Sequence, residues 1–226
     1  MPVPAWATDV AGLGVPALRR RASDVQDDIT RPQLEALSAS RAEEVRMLAG
    51  FLLRPLLPRE GERVWPVADH LVVDDAWTVR EAATFGTRDA SIDDPDAVLP
   101  LLRRWAEPAV GARRHRAFIV VARQPARQRA SVVAEIMASI DEPLADPDPY
   151  VRKNIPFAIR YLARNQPRAL RAKLAAWVTS QNVGLERAAL AALAAGALDD
   201  PASLLAALTR SPNATTRRAA QRLRST

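Results

Sequence analysis

The stretch from Asp74 to Arg88 reads DDAWTVREAATFGTR. It has the composition of a helix, and it places Trp77 and Glu81 one helical turn apart, where residues four apart meet on one face. It also contains the pattern Val79-Arg80-x4-Phe85. The same spacing returns at Ala112-Arg113 with Phe118 and at Val151-Arg152 with Phe157. Looser copies follow around Glu186-Arg187 and Thr216-Arg217. The steps between the arginines at 80, 113, 152, 187 and 217 run from 30 to 39 residues. A drifting period of this size points to a helical solenoid, in which each repeat buries its apolar face only against its neighbours. In each copy the apolar residue and the Phe six positions later lie near one face and can pack on the next repeat. The intervening Arg points to the seam or to solvent. Trp77 and Glu81 are open to two readings: a reactive pair, or a buried packing Trp beside a solvated carboxylate.

The rest of the chain supports an all-α fold. Ala, Leu and Arg are abundant and runs of β-branched residues are scarce. Only 8 Gly occur, and the 18 Pro fall largely between helical segments. Toward the N-terminus, Val64 to Val73 reads as a short apolar helix. Residues 33–54 read as an amphipathic helix or helix pair, with Ser40 as an N-cap, Glu43 at capping-box spacing and Pro55 and Pro58 as the stop. Pro16 opens a helix through the Arg19-Arg20-Arg21 triplet, itself expected to be a solvated cap or a phosphate contact. Toward the C-terminus, second helices of the repeats are expected at Pro95 to Trp105, Arg129 to Ile140, Pro167 to Val178 and Pro201 to Arg210. Trp105 and Trp177 would seal the repeat cores. Glu142 to Pro149 reads as a loop between helices. The expectation is a single domain over 1–226, with N-terminal helices in 1–73 and repeats in 74–226.

Composition narrows the function. Without cysteine there are no disulfides or thiolate ligands, and His70 and His115, the only histidines, lack metal-ligand spacing. No Gly-rich phosphate loop is present. No cofactor and no metal are expected. No apolar run reaches the length of a membrane span and the N-terminus is a poor signal peptide, so a cytoplasmic monomer away from the membrane is the expectation. The net charge of +6 is unevenly spread. Residues 1–73 sum to −1 and 74–148 to −3, whereas 149–226 hold 13 basic and 3 acidic side chains. A basic C-terminal third suits a polyanionic partner.

The region DPDPYVRKNIPFAIRYLARNQPRALRAKLAAWVTSQNVGLERAALAAL, residues 146–193, resembles the HEAT-like-repeat DNA alkylation repair family, the AlkD-type alkylpurine DNA glycosylases. Val151-Arg152-Lys153, Ala158-Ile159-Arg160, Pro167 and Arg187-Ala188-Ala189-Leu190 carry the likeness. Gly14-Val15-Pro16-Ala17-Leu18-Arg19, Glu43 to Leu53 and His70-Leu71 match the family's N-terminal features in order, so that the likeness spans roughly residues 11–195. The resemblance implies a right-handed α–α superhelix of HEAT-like repeats with a concave basic face that grips double-stranded DNA, alkylated or structured.

It also implies hydrolysis of the N-glycosidic bond to N3- or N7-alkylated purines. The family uses a Trp followed four residues later by an Asp, and Trp77 and Glu81 occupy that spacing. Its cleft Arg falls on Arg114 by the doublet or on Arg116 by the distance to the next apolar helix. Phe157 stands where the family has a second Trp. Lys153, Arg160 and Arg187 join the DNA-binding set. Glu for Asp shifts the carboxylate by one methylene, and Phe is a weaker cation partner than Trp, which implies weakened activity or a different lesion. Two other functions fit the same residues: a non-catalytic relative that binds DNA structures, and a repeat scaffold for a protein partner.

Overall fold

The computed structural model of the chain describes residues 3–106, 120, 156, 159–165, 167–196 and 201–225. Among these every regular element is helical, and the chain is an all-α protein of the helical-repeat class. It forms two compact units, Met1–Trp105 and Ala106–Thr226.

The first unit opens with a 3-10 turn at Ala5–Ala7 and continues through α1 (Val15–Val25), α2 (Arg31–Ser38), α3 (Glu43–Glu60), a 3-10 turn at Gly61–Val64, α4 (Trp65–Leu71), α5 (Trp77–Asp93) and α6 (Pro95–Ala106). Pro16 lies in the first turn of α1, where its missing N–H costs nothing. The triplet sits in mid-helix rather than at an end. Arg19 packs over the rings of Phe51 and Phe85 and pairs with Asp89 at 3.1 Å, while Arg21 donates to the Trp6 carbonyl.

Two expected signals in residues 33–60 are corrected. The N-cap of α3 is Ala42, not Ser40; the Ser40 hydroxyl instead accepts the Ala42 N–H one step before the helix. A capping interaction does occur one helix earlier, where the Gln33 side chain accepts the Thr30 N–H at 2.9 Å. Nor does α3 stop at Pro55 or Pro58; it runs through both to Glu60 and turns at Gly61, whose φ of 57° suits glycine. Leu56 and Leu57 explain the continuation. Both are essentially fully buried, and burying two leucines contributes about 3–6 kcal/mol, which offsets much of the roughly 6 kcal/mol that two interior prolines cost at about 3 kcal/mol each.

The core of this unit is the seam of α3 against α5, which run side by side. Two glycines make it. A Cβ on Gly86 would lie 2.1 Å from the Gly50 carbonyl oxygen, and one on Gly50 would lie 2.6 Å from the Ala83 nitrogen. The backbones therefore touch directly. At the other side of the unit, Trp105 is fully buried and donates its indole N–H to Asp69 at 2.8 Å, with Arg104 on the second carboxylate oxygen at 3.0 Å.

In the second unit residues 159–165 are helical, followed by α7 (Pro167–Thr179), α8 (Val183–Ala194), α9 (Ala202–Leu208) and α10 (Ala214–Arg224). Leu162, Leu170, Leu174, Trp177, Leu208 and Ala220 form its core. Trp105 and Trp177 thus sit in the cores of their units, as their positions at helix ends suggested. The expected helix Arg129 to Ile140 and the loop Glu142 to Pro149 lie outside the described residues.

Candidate functional site

Trp77 is the first residue of α5 and Glu81 the fifth. A face shared by such residues could be covered or open, and here it is open. Trp77 is 67% exposed, whereas Trp105 and Trp177 are fully buried. The reading of Trp77 as a buried packing residue is therefore excluded. Glu81 is partly buried. The same face continues to Phe85 and Arg88, whose guanidinium carbon lies 4.8 Å from the Phe85 ring centre.

The loop that launches Trp77 is fastened from several sides. Asp74, nearly buried, accepts Arg46 Nε at 2.7 Å, Arg46 Nη2 at 3.2 Å and the Ala76 N–H at 2.9 Å. Burial pushes the Asp74 carboxyl up, but the hydrogen bonds from Arg46 and Ala76 outweigh it and hold the group below its ordinary value. Arg46 is raised in turn, chiefly by its hydrogen bond to Asp74. Thr78 donates its hydroxyl proton to Glu43 at the start of α3. The first turn of α5 is thereby tied to the first turn of α3, and an exposed Trp is presented from a rigid base.

The recurring Arg has a specific task. Arg80 Nη1 donates to the carbonyls of Asp74 and Asp75, six and five residues back. Arg46 does the same to Ser40 and Arg41, and Arg217 to Ser211 and Pro212. In each case the Arg is the fourth residue of its helix and closes the entering loop onto itself. Such carbonyls would otherwise depend on water.

This geometry fixes a register that the sequence reading missed at two places. Val45-Arg46-x4-Phe51 carries the full pattern in α3, with the spacing of Val79-Arg80-x4-Phe85, so the signal was present in the sequence. In α8 the fourth residue is Glu186, not Arg187. Glu186 is 1% exposed and accepts Ser211 Oγ at 2.6 Å, Asn213 Nδ2 at 2.7 Å and Thr216 Oγ1 at 2.7 Å. A carboxylate thus holds the next repeat's loop where an Arg elsewhere holds its own. Arg187 becomes the fifth residue, the position of Glu81 in α5, and it is exposed on the surface. Arg160 is exposed as well. Arg114, Arg116, Lys153 and Phe157 lie outside the described residues, as do the pattern copies at Arg113 and Arg152.

An exposed aromatic and a carboxylate on one helix, and a basic C-terminal third, stand on a frame of the helical-repeat class. The comparison with protein families gives that class its name. The model of the DNA alkylation repair enzymes matches residues 7–193, and the chain belongs to that family. Membership carries a role in DNA repair, with DNA as the partner. Comparison with curated proteins gives no match. Among solved structures, the chain is similar to the designed armadillo repeat protein YIII(Dq)4CqI, at 16% identity and TM-score 0.35 over 98% of each chain. It is also similar to the designed armadillo repeat protein YIII(Dq.V1)4CPAF in complex with the peptide (KR)4, at 15% identity and TM-score 0.34 over 100% of this chain and 99% of that one. Among the described residues no helix is long and apolar enough to cross a membrane.

Proposed function

We propose that the protein hydrolyses the N-glycosidic bond of N3- or N7-alkylated purines in duplex DNA, with Glu81 as the carboxylate and Trp77 as the aromatic face. The observation that carries this reading is the exposure of Trp77 one turn before a carboxylate on the same face of α5. An indole left two-thirds in water forgoes about 1–2 kcal/mol of burial and is free to meet a partner.

The chemistry suits such a pair. An alkylated purine carries a positive charge, so the electron pair of the breaking C1′–N bond neutralises the departing base and no acid is needed to protonate it. The sugar develops oxocarbenium character. Glu81 stabilises that charge and takes the proton of the water whose oxygen bonds to C1′. The Trp77 ring attracts the cationic base or sugar through its face.

The test is release of free base from a duplex containing 7-methylguanine, with wild type, Glu81→Gln and Trp77→Ala compared. Wild type releases base. Glu81→Gln loses at least about 100-fold in rate and keeps DNA binding. Trp77→Ala also slows release, yet changes stability by no more than about 0.5 kcal/mol because the side chain is exposed. Full activity in Glu81→Gln would refute the assignment. Salt-sensitive binding without release by wild type would make the protein a non-catalytic DNA-binding relative.

A further inference from the structure

The family match ends at residue 193, yet residues 201–225 hold a further helix pair, α9 and α10, packed into the core of the second unit through Leu205, Leu208 and Ala220. This segment contains five arginines and no acidic residue. The loop closure by Arg217 places α10 in the same register as α5. Counting from the helix start, the first, fifth and ninth residues that are Trp77, Glu81 and Phe85 in α5 become Val183, Arg187 and Ala191 in α8, and Ala214, Arg218 and Arg222 in α10.

We infer that α10 extends the DNA-contacting surface beyond the family's own span, with Arg218 and Arg222 as phosphate ligands beside Arg187. This rests on the reading of the partner as duplex DNA. Arg218 and Arg222 are exposed and four residues apart, hence on one helix face. Neither closes a loop, the task that occupies Arg217. The single carboxylate of α8, Glu186, is buried and saturated by hydrogen bonds, and α10 has none. Between the two helices lies a groove of about 250 Å³ whose lining includes Val183, Arg187, Leu190, Thr215 and Ala219. A largely apolar lining that includes Arg187, with Arg218 and Arg222 exposed on the helix that supplies Thr215 and Ala219, fits a sugar–phosphate backbone: deoxyribose faces rest on the floor, and guanidinium groups take the phosphates. An acidic peptide would satisfy the charges, but the family to which the chain belongs acts on DNA.

The experiment is duplex DNA binding as a function of salt, using wild type, Arg218→Gln/Arg222→Gln, and Arg168→Gln as a control of equal chemistry on the exposed side of α7. Each phosphate contact contributes about 0.9 to the slope of log K against log salt. The double variant is expected to lower the slope by about 2, with an unchanged circular-dichroism spectrum and melting temperature, and the control to leave the slope unaltered. An unaltered slope in the double variant, with wild type still binding, overturns the extension and leaves the DNA reading standing. An equal fall per charge in the control also overturns it, since the effect would then belong to net charge. Absence of salt-sensitive binding by wild type removes the DNA reading and this inference with it.

Discussion

Replacing Gly86 by Ala puts the two chief influences on a helix in opposition. Alanine is the better helix former by about 1 kcal/mol, so propensity alone predicts stabilisation. The tertiary structure predicts the reverse. The new Cβ would sit 2.1 Å from the Gly50 carbonyl oxygen, 3.1 Å from the Gly50 carbonyl carbon and 3.2 Å from the Phe51 oxygen. Carbon and oxygen ordinarily meet no closer than about 3.3 Å, so α3 and α5 must part by roughly 1 Å. All three obstructing atoms belong to backbone, and no rotamer change relieves them. Overpacking of this kind costs about 3 kcal/mol at the upper end of its usual range, and a 1 Å gap forfeits up to half of each dispersion contact along the seam. The net expectation is a destabilisation of about 2 kcal/mol or more. For a chain of 226 residues that lowers the melting temperature by about 4–8 °C, where propensity alone would raise it by about 2–4 °C. Thermal unfolding followed by circular dichroism reads the sign directly. Because α5 carries Trp77 and Glu81, base release by the still-folded variant should fall as well, a 1 Å displacement being enough to cost about 100-fold. A melting temperature equal to or above that of wild type would refute the close-packed seam. Gly50→Ala, whose Cβ would meet the Ala83 nitrogen at 2.6 Å, must change in the same direction.

Asp74→Asn should destabilise the protein by about 2 kcal/mol at neutral pH, through loss of the charged hydrogen bonds from Arg46. Because the folded-state pKa of Asp74 is lowered, its contribution is complete above the ordinary carboxylate value of about 3.9 and is lost as pH falls below it. The difference in melting temperature between wild type and variant should therefore close in that acid range, and a gap constant with pH would count against the pairing. Glu186→Ala removes the acceptor shared by Ser211, Asn213 and Thr216. Leaving the buried Ser211 and Thr216 hydroxyls without that acceptor should cost about 2–4 kcal/mol in urea unfolding, and a midpoint unchanged from wild type would show that the carboxylate does not hold α8 to α10.

Much of the candidate site could be read from spacing, and the parts that could not share a cause. The four-residue step from Trp77 to Glu81 places both on one face of any helix, whatever surrounds it. Whether that face is covered depends on neighbours remote in sequence, and in the fold none of them covers the Trp77 indole, which is 67% exposed. The repeating Arg was visible as a pattern, but its role was not. Its partners are backbone carbonyls, which every residue possesses and which therefore leave no mark in a sequence. The displacement of the pattern by one residue at Glu186 was hidden for the same reason: Arg187 fits the string, while the loop geometry selects its neighbour.

Legible in the sequence alone were the all-α character, the recurrence of the Arg pattern at Arg80 and Arg217, the prolines in the first turns of the helices that begin near Pro16, Pro95 and Pro167, and the burial of Trp105 and Trp177. These follow from local rules: helix propensity, the fixed φ of proline, and apolar periodicity at helical spacing. The contact of Gly50 with Gly86, the passage of α3 through Pro55 and Pro58, the exposure of Trp77, and the helix register that puts Glu186 rather than Arg187 at the fourth position of α8 come from tertiary packing. Each depends on the distance between helices far apart along the chain, and that distance is set by which side chains are absent from a seam as much as by which are present.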